Sequence, residues 1–205
     1  MRIGVKDYNK MVEAVSENLA QHIVLDLETM GVSSNSAIIA IGAVGMDKDY
    51  DVNSYFYTPV SLQSCVDMGL VIDGPTVAWW LGQSEEARNG LDLNGGHSIY
   101  NALGAFIEWM GRVTDSYNAY VWGNGSDFDN VIITNAFKKA KFREPWKPWL
   151  NQSMRTVHLI NEQTGLGITR PEPTIKHHAL FDAEAEARYI GGILYKLEQL
   201  AGVSV

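Results

Sequence analysis

Cysteine is almost missing. Cys65 stands alone among 205 residues, so no internal disulfide can form. A reducing cytosol is the simplest compartment for such a chain, and Cys65 reads as a structural or surface thiol without a role. Long apolar runs are missing too. None reaches the eighteen or so residues that cross a bilayer, so no membrane partner is expected. The opening "MRIGVKDYNK" lacks the apolar centre of a secretory signal. Basic charge is in deficit. Sixteen Lys and Arg face 24 Asp and Glu, a formal net charge of −8, which excludes a broad basic face that coats duplex DNA. An acidic balance does not exclude a nucleic-acid enzyme. A site that gathers carboxylates around divalent metals is acidic by construction, and the metals reverse the local sign. Internal repeats, low-complexity tracts and linkers rich in Pro, Gly or Ser are also absent.

What is present is ordinary globular material, 46% hydrophobic and 20% charged, enough for a core. One domain over 21–205 is the economical reading, preceded by an N-terminal extension, 1–20. Tyr8, Met11, Val12, Val15 and Leu19 fall at helical spacing in that extension. They suggest a helix over 6–20 that packs on the sheet. Residues 22–28, 37–47 and 52–60 read as strands, the last alternating. Helices are expected over 76–92, 98–113, about 129–141, 153–165 and 179–200. A strand with a glycine turn is expected at 117–125, and two prolines break the pattern at "EPWKPWL". Strands first, then strands and helices mixed, predict an α/β fold: a mixed sheet covered by helices.

Three short stretches carry chemistry. "IVLDLETMG" (23–31) ends an apolar run in Asp26 and Glu28. Residues two apart on a strand share a face, so these acids project together, opposite Leu25 and Leu27. Two close carboxylates repel, and each resists ionisation. A divalent cation removes that penalty, and Mg²⁺ or Mn²⁺ prefers such oxygen ligands. Alone, Asp-x-Glu is weak, since surface strands often carry it.

"GNGSDFDNVII" follows a strand with a tight turn at Gly123 and Gly125. Asp129 then falls where a helix begins, a position that an N-terminal carboxylate takes without any function. Asp127 competes with it across Phe128. "KHHALFDAEAEA" sets His177 five residues before Asp182, with Ala179 and Ala185 three residues either side of that acid. Small residues there let a helix face approach a sheet. A histidine just upstream can take a proton from water near neutral pH. The plain alternative is an exposed His pair on a solvated acidic helix, to which Glu184 and Glu186 add weight.

Together and in this order, the three stretches resemble the DnaQ-like (DEDDh) 3′–5′ exonuclease superfamily, from about residue 22 onward. "LDLETMG", "SAIIAIGAV", "TVAWWLGQSEEAR", "VWGNGSDFDNVII", "RTVHLI" and "HHALFDAEAEA" are also similar to small phage and prophage exonucleases labelled exonuclease VIII and to the phage exonuclease A group. The resemblance implies a ribonuclease H-like mixed five-stranded sheet flanked by helices. It implies a two-metal site for Mg²⁺ or Mn²⁺ held by Asp26, Glu28, Asp129 and Asp182, with His177 as general base. It resolves Asp129 against Asp127, because Asp129 follows Phe128, and it does not carry His178. Met30 departs from the family, where many proofreading relatives have threonine. Phe181 departs as well, where close relatives often have an acid. No match covers 1–20.

The implied reaction is hydrolysis of a single-stranded DNA or RNA 3′ end to nucleoside 5′-monophosphates, in the cytoplasm of a bacterial or phage-infected host cell. A homodimer is implied only because many relatives form one. Thr29, Met30, Gly31, Phe128 and Phe181 are the expected contacts of the terminal nucleotide. Trp79, Trp80, Trp146 and Trp149 are candidates for base stacking, against packing in the core or at an interface. The rival readings are a ribonuclease H-like endonuclease, which does not need His177, a catalytically inactive nucleic-acid-binding module, and a metal-binding transferase that leaves two motifs unexplained.

Overall fold

Five strands form one mixed sheet: β1 (His22–Thr29), β2 (Ile38–Met46), β3 (Val52–Pro59), β4 (Tyr120–Gly123) and β5 (Asn151–Ser153). The computed structural model describes residues 19–89, 91–93, 95–115 and 117–202. The strand order is β3-β2-β1-β4-β5. β1–β2 and β2–β3 are antiparallel, whereas β1–β4 and β4–β5 are parallel. Helices cover it: α1 (Leu62–Asp67), α2 (Gly74–Leu81), α3 (Glu85–Asn89), α4 (Ile99–Val113), α5 (Asp129–Ala140), α6 (Met154–Thr164) and α7 (Ala179–Ala201). Among the described residues no helix is long and apolar enough to cross a membrane.

Layering explains the strand sequences. β2 is buried along its whole length, as "IIAIGAVGM" requires, because helices lie on both of its faces. β3 is an edge strand, so its residues alternate, and Pro59 closes it where no further ladder donor is needed. β1 alternates between two cores. Ile23, Leu25 and Leu27 join the larger one with Phe106 of α4 and Ile133 of α5. Val24 joins the smaller one with Met154 of α6 and Ala187, Ile190 and Ile193 of α7. Asp26 and Glu28 continue the Val24 face, so both acids point to the α7 side.

Gly42 sets how closely α7 can approach. It pairs with Asp26 across β1–β2. A Cβ at Gly42 would lie 2.2 Å from the Ala179 carbonyl carbon and 2.3 Å from the Leu180 nitrogen. The missing side chain lets the first turn of α7 rest directly on the sheet. Ala179 and Ala183 are fully buried there. Of the two alanines whose spacing suggested such an approach, Ala179 makes it at Gly42, and Ala185 is buried further along α7.

Some boundaries differ from expectation. The helix expected over 76–92 is two, α2 and α3. Gly82 ends α2, and the Ser84 hydroxyl accepts from the Ala87 N–H to begin the next. β5 is polar "NQS", with no apolar alternation to reveal it. It pairs with β4, and the Asn151 side chain receives the Asn130 amide (3.0 Å) and the Trp146 indole (2.8 Å). α1 is too short to show a period. The helix expected over 6–20 falls almost wholly outside the described residues. Ala20 is bridged to Thr114 and donates to Val113 at 2.7 Å.

Candidate active site

Asp26, Glu28 and Asp182 each offer a carboxylate oxygen within 4.8 Å of the others. The first two come from β1. The third comes from the first turn of α7, lowered onto the sheet by Gly42. Asp182 also caps its helix, its Oδ2 accepting the His178 N–H at 3.1 Å. Asp129 arrives from the start of α5 and is 2% exposed. β4 pairs with β1 only from His22 to Val24, so the Leu27 N–H lies beyond its reach. Asp129 Oδ1 takes that hydrogen bond at 3.2 Å. Its Oδ2 is buried without a partner. Asp127, the competing acid, is exposed.

The charges on these acids are expensive. Loss of hydration, then the charges of Asp129, Glu28, Glu186 and Asp182, hold the Asp26 carboxyl well above the usual range. Burial, then the charges of Asp182 and Asp129, raise Glu28 to about 8. Burial and the charge of Glu186 raise Asp129 to about 7, against hydrogen bonds from the backbone of Leu27 and Asn124. Burial raises Asp182 too, opposed by the His178 N–H and by the charges of His177 and Arg170. Close, dehydrated carboxylates, one with an orphaned oxygen, fit a hard divalent cation that prefers oxygen ligands.

His177 precedes α7 with φ +61, in the left-handed region. Its ring and that of Trp79 meet edge to face, their centroids 4.9 Å apart. His177 and Asp182 share a cavity of about 260 Å³ with Arg170 and Lys176. His178 turns elsewhere, stacked on Tyr57 at 4.4 Å. Burial lowers its pKa.

Beside Glu28 lies a second cavity of about 460 Å³, lined by Thr29, Gly31, Trp79, Trp80 and Phe128. Three of the expected nucleotide contacts therefore share it. Met30 does not reach it: the residue is 4% exposed and packed in the larger core, with its backbone bonded to Ala37 and Asp73. Phe181 does not line it either and rests on the His178 ring at 4.6 Å. The tryptophans divide. Trp80 is buried, its indole donating to the Thr29 carbonyl at 2.9 Å, whereas Trp79 is half exposed at the cavity. Trp146 is a core residue and unavailable for stacking, and Trp149 is exposed.

One acid escaped the motif reading. Glu186 is 1% exposed, not part of a solvated helix face. It lies one turn after Asp182, and that i,i+4 spacing on α7 is the signal that could have found it. Burial raises its carboxyl to about 7, against the pull of Arg170 and Asn124.

A family model described as the Rv2179c-like 3′–5′ exoribonuclease domain matches residues 21–194. The chain belongs to that family. This 3′–5′ exonuclease domain is also similar to an exodeoxyribonuclease of Enterobacteria phage T4, 23% identical over 155 residues, 65% of this chain and 68% of that protein. Its fold is that of exonuclease I. The E. coli enzyme in complex with a dT13 oligonucleotide superposes with TM-score 0.54 at 15% identity, over 87% of this chain and 40% of the other. Exonuclease I of Methylocaldum szegediense gives 0.58 at 12% identity, over 88% and 42%. The exonuclease domain thus spans about two fifths of the exonuclease I chains it matches, and shares with them the ribonuclease H-like sheet.

Proposed function

We propose that this exonuclease domain removes nucleoside 5′-monophosphates from the 3′ end of single-stranded DNA or RNA, with two divalent cations, Mg²⁺ or Mn²⁺. The observation that carries the reading is the meeting of Asp26, Glu28 and Asp182 within 4.8 Å of one another, with Asp129 bonded to the same strand at the Leu27 N–H and its other oxygen buried without a partner. Asp26, Glu28 and Asp182 would hold one ion, and Asp129 with Asp26 would hold the other. When bound, the ions supply charge neutralisation at the scissile phosphate and an acidified water. His177 accepts the proton of the attacking water. The bond between phosphorus and the 3′ oxygen breaks, and the phosphate leaves on the released nucleotide.

The terminal nucleotide enters the 460 Å³ cavity. There Trp79 and Phe128 offer ring faces to its base, and Thr29 and Gly31 offer backbone groups to its sugar. A cavity with a stacking surface and no broad basic face suits one unpaired end better than a duplex. The T4 relative and the oligonucleotide-bound exonuclease I favour DNA, whereas the family description favours RNA. The T4 match also supports the likeness to phage exonucleases.

The test is Mn²⁺-dependent digestion of 3′- and 5′-labelled single strands of both kinds, with Asp26→Ala and His177→Ala as controls. Mononucleotides released from the 3′ end, and lost in both variants, are the expected result. Internal cuts, or activity retained in Asp26→Ala, refute the reading.

A further inference from the structure

Glu186 lies where two segments of the site meet. One of its oxygens, Oε1, accepts the Asn124 side-chain amide at 2.7 Å and the Arg170 guanidinium at 2.9 Å. Asn124 belongs to the turn between β4 and α5, the turn that leads into Asp129. Arg170 belongs to the stretch between α6 and α7 that ends in His177, and both line the cavity that Asp182 borders. The other oxygen of Glu186, Oε2, is buried with no hydrogen-bond partner. Its charge reaches Asp26 and Asp129.

We infer that Glu186 is a positioning residue of the acid cluster. It ties the turn that presents Asp129 to the segment that presents His177, and it adds a fifth carboxyl beside the other acids. This rests on the exonuclease reading above.

The physical case is in the choice of side chain. A glutamine would accept the same two hydrogen bonds through its amide oxygen. It would avoid the penalty of a buried carboxylate, which one half-exposed arginine offsets only in part. What glutamate adds is charge, at a place where the other carboxylates already crowd. Charge there opposes folding without a cation and favours binding one. Side chains that hold the ligands of a metal commonly change affinity or rate when altered.

The experiment uses the full chain with Glu186→Gln and Arg170→Gln, and Asp26→Ala as reference. Steady-state kcat and KM are measured on a single-stranded oligonucleotide. Mn²⁺ binding is titrated by calorimetry without substrate, and melting is followed in EDTA. Glu186→Gln is expected to lower kcat and weaken Mn²⁺ binding, each by about tenfold or more, with KM little changed and no loss of melting temperature. Arg170→Gln cuts the link to the His177 segment and removes a positive charge beside Asp182 and Glu186, so kcat falls while Mn²⁺ binding is not weakened. A Glu186→Gln protein that melts lower in EDTA but keeps its Mn²⁺ affinity marks a mere fold anchor and overturns the inference. Wild-type kcat in Arg170→Gln overturns the tie to His177. If wild type and Asp26→Ala both leave the oligonucleotide intact, the exonuclease reading fails instead, and the calorimetry still decides whether Glu186 serves the cation.

Discussion

Replacing Glu28 by glutamine should stabilise this protein in the absence of metal. Glu28 is 8% exposed, and its carboxyl is pushed from 4.5 to about 8 by burial and by the charges of Asp182 and Asp129. At pH 7 the unfolded chain has released this proton and the folded chain keeps it. Holding the proton against the solvent costs about 3 kcal/mol, at about 1.4 kcal/mol for each unit between 4.5 and 7. The sign follows from linkage. The folded state binds more protons here, so stability is complete below pH 4.5 and falls as pH rises towards 8. Glutamine has no proton to lose and keeps an oxygen and an amide that the neighbouring carboxylates can accept. In EDTA at pH 7 the variant should melt roughly 6–12 °C above wild type. The gap should close by about pH 4.5 and widen towards pH 8. Saturating Mn²⁺ should reverse the order at pH 8, because only wild type gains the full binding energy. The assay is a melting series by circular dichroism across this pH range, with EDTA and with Mn²⁺. A variant that melts at or below wild type at pH 8 in EDTA, or a gap that does not change with pH, refutes the claim that carboxylate crowding burdens the fold.

Three further outcomes follow from the packing. Gly42→Ala should destabilise by about 3 kcal/mol or more and abolish nuclease activity, because its Cβ collides with the α7 backbone and lifts Asp182 away; a soluble, fully active variant contradicts this. Met30→Ala should cost about 2–5 kcal/mol in denaturant unfolding with KM unchanged, since the side chain fills core rather than touching substrate; a raised KM with normal stability contradicts it. Trp79→Ala should raise KM for a single strand by about tenfold, the worth of one stacked base, and Trp79→Phe should restore most of it; an unchanged KM removes Trp79 from the nucleotide cavity.

Met30, expected at the terminal nucleotide, and Trp146, left open between stacking and core packing, were decided by the same cause. Met30 and Trp146 sit in stretches that look irregular, one in a loop after a strand and one in a proline-rich break. Side chains in such stretches carry no periodicity that assigns them a face. Both turned inward, and which way a loop residue turns depends on elements distant in sequence. Met30 is held by Ala37 and Asp73, and Trp146 by Asn151.

Much of this protein was legible without coordinates. The strand "HIVLDLET" places Asp26 and Glu28 on one face because a strand repeats every two residues. The period of α7 likewise states which of its residues are apolar. Short range is enough for such facts. What only the tertiary structure decided depends on distances between segments. Asp129 is buried against β1, with Asp127 left exposed, through a Leu27 N–H that the short β4 leaves unpaired. Glu186 was drawn out of a helix face that reads as solvated by Asn124, 62 residues away, and by Arg170. Its burial has no local signature, since an acid at i+4 reads the same whether water or a neighbouring turn stands opposite. The approach of α7 to β2 turns on the single absent Cβ of Gly42.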